Sequence, residues 1–109
     1  MEERRARNEA LFREVNERIE SISRELTDRE RALQRLQFVC ECGREDCTDV
    51  LDATIAEYEA VRANARRFLV LPGHDQTETA RVVERTSRFF VVEKLGIAGE
   101  VAIERDPRA

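Results

Sequence analysis

Apolar residues in the first third of the chain recur at helical spacing. Phe12, Val15, Ile19, Ile22, Leu26, Leu33 and Leu36 fall on one stripe, and Arg29 stands where the next apolar residue is due. The stripe predicts an amphipathic helix from residue 3 to about 36, with the heptad seam of a coiled-coil surface. Thr27 followed by Glu30 has the form of a capping box, which leaves open a break near residue 27. In a parallel dimer the flanking charges would pair Arg18 with Ser23 and Glu25 with Glu30, and neither pair attracts. An antiparallel arrangement, or packing on the chain's own domain, suits the pattern better. A helix that simply covers the core carries about equal weight.

The remaining pattern is shorter in period. Residues 38–41 and 50–52 read as strands, and Thr54 with Glu57 forms a second capping box that opens a helix over about 55–65. Residues 67–71 are strand-like and end at Pro72-Gly73. Residues 80–85 and 88–94, rich in Val and Phe, read as strands on either side of Thr86-Ser87, a connection short enough for a hairpin. Gly96 and Gly99 mark a turn before a last apolar stretch at 101–103, and 105–109 reads as a flexible polar tail. The expected fold is α+β. It comprises a long N-terminal amphipathic segment over 1–36 and a zinc-clamped domain over 37–104 with a second helix and a small, mostly antiparallel sheet.

At 109 residues, 41% of them hydrophobic, the chain supports one modest core that a bound metal would help to stabilise. Charged residues reach 39% and the net charge is −4, a poor balance for a binder that relies on bulk electrostatics to hold nucleic acid. No apolar run approaches the roughly 18 residues of a membrane span, so no membrane partner is expected. The first residues, Met-Glu-Glu-Arg-Arg-Ala-Arg, lack the apolar region of a secretory signal. Three cysteines are a poor disulfide framework, so a cytoplasmic, reducing location is the expectation.

The cysteines carry the chemistry. Cys40, Cys42 and Cys47 lie in Phe-Val-Cys-Glu-Cys-Gly-Arg-Glu-Asp-Cys, and His74, the only histidine, follows in Leu-Pro-Gly-His. Three thiolates and one imidazole are a complete donor set for one tetrahedral zinc ion per chain. On an extended strand Cys40 and Cys42 face the same side, Gly43 lets the chain turn, and Cys47 returns within a short loop. A ten-residue helix runs roughly 15 Å outward, and the strand after it runs about as far back, so His74 can reach the cysteines.

Several segments together resemble a set of small uncharacterised bacterial proteins, mostly from high-GC genomes. They are Arg7-Asn-Glu-Ala-Leu-Phe-Arg-Glu-Val-Asn-Glu-Arg-Ile19, Phe38-Val-Cys-Glu-Cys-Gly43, Asp46-Cys47, Glu57-Tyr-Glu-Ala-Val-Arg62, Arg67-Phe-Leu-Val-Leu-Pro-Gly-His74 and Val82-Val-Glu84. The resemblance spans most of the chain except about 27–37 and the tail. It implies that Cys40, Cys42, Cys47 and His74 act as one set, and it implies no activity.

Four protein ligands close a zinc site, so catalysis at the metal is disfavoured and no catalytic residue is assigned. Glu41 lies between two ligands, but on a strand it points away from them. Phosphate loops, dinucleotide fingerprints and nucleophile elbows are missing from the sequence. The leading expectation is an interaction or regulatory module with a structural zinc. Its contact surface is the N-terminal helix through Phe12, Val15, Ile19, Ile22 and Leu26, for a protein partner or a second copy. The alternative is a thiol-based switch that releases zinc on oxidation. A further alternative is weak nucleic-acid binding through Arg62, Arg66 and Arg67 with Arg81, Arg85 and Arg88, against a solvated, ion-paired surface as the plainer reading.

Overall fold

A computed structural model describes residues 2–23, 25–75 and 78–108. The elements in chain order are α1 (Glu2–Ser21), α2 (Asp28–Leu33), β1 (Arg35–Val39), β2 (Val50–Thr54), α3 (Ile55–Arg62), β3 (Arg67–Val70), β4 (Ala80–Arg85), β5 (Phe90–Lys94) and α4 (Gly96–Glu104). β1 and β2 form an antiparallel pair, with Phe38 opposite Leu51. The other three strands form an antiparallel sheet in the order β3-β5-β4. The architecture is the α+β class expected from the pattern.

The three-stranded sheet divides the interior because side chains alternate across it. Leu69 of β3 and Val91 of β5 join Phe38, Leu51, Ala53, Ile55, Tyr58, Val61 and Phe89 on one side. Phe68, Val70 and Val92 join the three cysteines and Ala102 on the other. The first cluster is anchored by Phe38 stacked on Tyr58 at 4.6 Å between ring centroids. Thr54 opens α3 with the capping box read from the sequence: its hydroxyl accepts from Glu57 N and the Glu57 carboxylate accepts from Thr54 N.

The N-terminal segment differs from a single helix to residue 36. α1 ends at Ser21, and α2 starts after Thr27, whose side chain and Glu30 form the capping box. Residues 35 and 36 are already in β1, where Leu36 lies opposite Ala53. A capped N-terminus at Thr27 and a polar Arg29 in the seam favour a new helix over a continued one.

The face α1 buries is not the apolar one. Ala6, Glu9, Ala10, Arg13 and Asn16 are buried, whereas Leu11 and Val15 are exposed. Ile19 and Leu26 pack partly against the first cluster, and Ile22 is 83% exposed.

The second difference is α4. The apolar stretch after Gly99 is helical, with Ala98, Gly99 and Ala102 buried. A Cβ on Gly99 would meet the Lys94 carbonyl oxygen at 2.9 Å, so the glycine permits close packing where it had suggested a turn. The residues after α4, expected as a loose tail, are tied down: Asp106 pairs with Arg62, and Arg108 with Glu17 and Glu59.

Candidate metal centre

The four donors come from three places. Cys40 follows the end of β1, Cys42 and Cys47 lie in the loop before β2, and His74 sits in the turn after β3. Cys40 N still donates to Asp49 O at 2.9 Å, which closes the base of the cysteine loop. Gly43 turns the chain at φ +79°, and a Cβ there would lie 2.7 Å from the Arg5 carbonyl oxygen. Glycine is therefore needed both for the backbone angle and for the approach of α1. On the other arm His74 N donates to Leu71 O at 2.9 Å, and Gly73 takes φ +88°.

The three Sγ atoms and one imidazole nitrogen lie within 4.8 Å of one another. His74 Nδ1 is 3.5 Å from Cys40 Sγ and 3.6 Å from Cys47 Sγ. A tetrahedron with Zn–S arms near 2.3 Å and a Zn–N arm near 2.0 Å has sulfur–nitrogen edges of about 3.6 Å. The donors fit a metal site in type, and the two sulfur–nitrogen distances match a tetrahedral edge. Cys40, Cys42 and Cys47 are buried, and His74 is half-buried at the edge.

The thiols shift one another in opposite directions. The Cys42 thiol is lowered by a hydrogen bond from Cys40 above all, assisted by the Arg44 backbone and His74, while Cys40 is raised in return. Burial raises Cys47. Leu71 N donates to Cys40 Sγ at 3.3 Å. Arg44 Nη2 stands 3.4 Å from His74 Nδ1, and Asp49 Oδ2 lies 4.0 Å from His74 Nε2. A guanidinium only donates, so Nδ1 is the acceptor in the Arg44 contact, the same role it would play toward a metal.

Around the donors α1 forms a second layer. Arg5 Nε donates to Cys42 O at 2.9 Å, and Asn8 Nδ2 to Gly43 O at 3.2 Å. Asn16 exchanges two hydrogen bonds with the Val39 backbone, at 2.8 and 2.9 Å. Asn16 Nδ2 also donates to Glu41 Oε2 at 2.6 Å. Glu41 lies past the end of β1 and is fully buried, with its carboxylate held by Asn16 and by the Leu69 amide. Burial pushes its carboxyl up to about 7, against the opposing pull of Asn16 and the Leu69 amide. Beneath Gly43, Glu9 pairs with Lys94, and both are 2% exposed.

This polar layer was missed by reading α1 as an apolar seam. Its signal was present: Ala6, Glu9, Ala10, Arg13 and Asn16 lie at helical spacing on one face, and a polar stripe interleaved with alanine marks a face that is bonded rather than solvated.

Five of the six arginines singled out in the sequence engage neighbours, and Arg66 is exposed. Arg62 is buried against Glu17 and Asp106, Arg67 and Arg81 share Glu93, and Arg88 holds Glu57. Arg85 lies over the Phe90 ring at 5.6 Å. No helix among the described residues is long and apolar enough to cross a membrane.

Compared with protein-family models, with curated proteins and with solved structures, the chain finds no match in any of the three.

Proposed function

We propose that the chain is a small zinc protein in which Cys40, Cys42, Cys47 and His74 hold one structural zinc ion, and that the stabilised domain serves as a protein-interaction or regulatory module. The observation that carries this reading is the convergence of four donors within 4.8 Å of one another, with all three cysteines buried. Four protein ligands leave no open position for substrate or water, which favours a structural role over a catalytic one. Burial of the sulfurs favours stable ligation over ready oxidation. The interaction role draws on exposed Val15 and Ile22 beside α1 and Leu33 of α2, apolar groups that this chain leaves in solvent.

Substituting one ligand tests the metal reading. Cys42→Ser removes the sulfur on which the other donors converge, so zinc content and melting temperature should fall together. Full zinc content with an unchanged melting temperature would show that Cys42 is not a ligand. Interaction through the helical segment is tested by sedimentation and cross-linking of Ile22→Glu/Leu33→Glu beside wild type. An assembly that persists unchanged removes this surface from the proposal.

A further inference from the structure

Resting on the metal reading above, we infer that Asn16 and Glu41 are positioning residues of the metal centre. They form a buried carboxamide–carboxylate pair that fixes the cysteine arm against the histidine arm. Neither touches the metal position.

The argument begins with cost. A carboxylate and a carboxamide at zero exposure are stable only when their hydrogen bonds are made, and a hydrophobic pair would fill the same space at lower risk. Their bonds all lead to the arms that carry the ligands. Past Val39 the ligand strand leaves the β1–β2 register, which ends at Val39 opposite Val50. Asn16 takes over there. Its Oδ1 accepts from Val39 N and its Nδ2 donates to Val39 O, as a neighbouring strand would.

Glu41 then crosses to the other arm. Its backbone N donates to Leu69 O at 2.8 Å, and its Oε1 accepts from Leu69 N at 2.9 Å. Leu69 leads through Leu71, the donor to Cys40 Sγ, into the turn that carries His74. The distance between Cys40 and His74 is thus set by a bonded path through Glu41 as well as by the metal. Residues of this kind hold ligands near their bound geometry before the metal arrives, and their loss typically weakens metal affinity by about 10- to 100-fold.

The pair has a defined polarity. Val39 N can only donate, so it fixes Oδ1 of Asn16 toward itself and turns the amide nitrogen toward Glu41. In Glu41→Gln, whichever way its amide turns, the new NH2 faces a donor, Asn16 Nδ2 or Leu69 N. In Asn16→Asp/Glu41→Gln the order of donor and acceptor is reversed and the bond between the two side chains is restored, while Val39 O loses its donor and meets a carboxylate oxygen.

Cobalt(II) is the probe, because its visible absorption reports tetrahedral thiolate ligation directly. Metal-free full-length variants are titrated with Co(II) in competition with a chelator, and their folding is followed by circular dichroism. Glu41→Gln and Asn16→Ala should bind Co(II) about 10- to 100-fold more weakly than wild type. The double variant should recover part of that loss. Ile55→Val, in the core cluster remote from the ligands, should lose stability while keeping wild-type Co(II) affinity. Should Glu41→Gln fail to fold, Asn16→Ala leaves the Glu41–Leu69 bond intact and carries the comparison alone. Folded variants that bind Co(II) within twofold of wild type would overturn the positioning role and leave the metal site standing. A wild type that takes up no Co(II) would overturn both.

Discussion

Gly43 illustrates how much of this structure is decided at single residues. It holds φ +79° and lies under the Arg5 carbonyl, so a side chain there meets both backbone strain and a steric wall. The left-handed conformation alone costs an L-residue about 1–2 kcal/mol. Gly43→Ala should therefore lower stability by about 2 kcal/mol or more in urea unfolding, whereas Gly73→Ala, with open space around the Cβ, should show the backbone strain alone. Lys94 is the second decisive residue. With Glu9 it forms an ion pair at 2% exposure over the Phe68 ring. Removing Lys94 leaves the buried Glu9 carboxylate with only Arg5 Nε, 3.8 Å away, so Lys94→Met should cost up to about 3–5 kcal/mol in the same assay. Lys94→Met/Glu9→Leu should recover much of that loss, because both charges are then gone. A single variant as stable as wild type would contradict the burial of this pair.

Elements with local rules were legible from sequence, and elements decided by tertiary contact were not. Both capping boxes were read from four-residue windows, and both are formed. The β4 strand was placed by its valines, and its extent agrees with the reading. α4 was missed because a short apolar run fits strand and helix equally well. What decides it lies far away in sequence: Arg13 Nη2 donates to Ala102 O at 2.7 Å and so satisfies a carbonyl in the last turn of α4. Likewise, a heptad stripe cannot tell which side of α1 the domain covers, and here polar bonding won over apolar area. The four clustered donors were legible because few residue types can hold a metal, while Asn16 and Glu41 belong to a layer whose geometry appears only once the strands are paired. Two predictions belong at this scale. Thr27→Ala removes the cap of α2 and should cost about 1 kcal/mol, with faster amide exchange confined to α2. Arg88 holds Glu57 at 2.5 Å and keeps its carboxyl below the usual range. A depressed carboxyl stabilises the fold above its unfolded pKa, here about 4.5, and that contribution is lost as pH falls through the folded value. Arg88→Ala should therefore be less stable than wild type at pH 7, and the gap should narrow below about pH 4. A gap of constant size across that range would remove the ion pair as its cause.

Taken whole, the described residues form two small sheets and four helices held by a polar layer under α1 and a donor cluster at the far ends of β1 and β3. The two sheets share the first core cluster, and the donor cluster ties them a second time where β1 and β3 end. A metal at that junction acts as a cross-link between segments distant in sequence, so its binding energy appears as folding energy. Chelation should accordingly lower the melting temperature by about 10 °C or more, since 1 kcal/mol moves a small domain by roughly 4–8 °C. The most direct test of the central claim is the metal content of protein purified without added metal, read by native mass spectrometry with a thiol titration before and after chelation. The account predicts one zinc per chain and three thiols that react only once the chelator has removed it. Metal-free protein with three freely reactive thiols would contradict it.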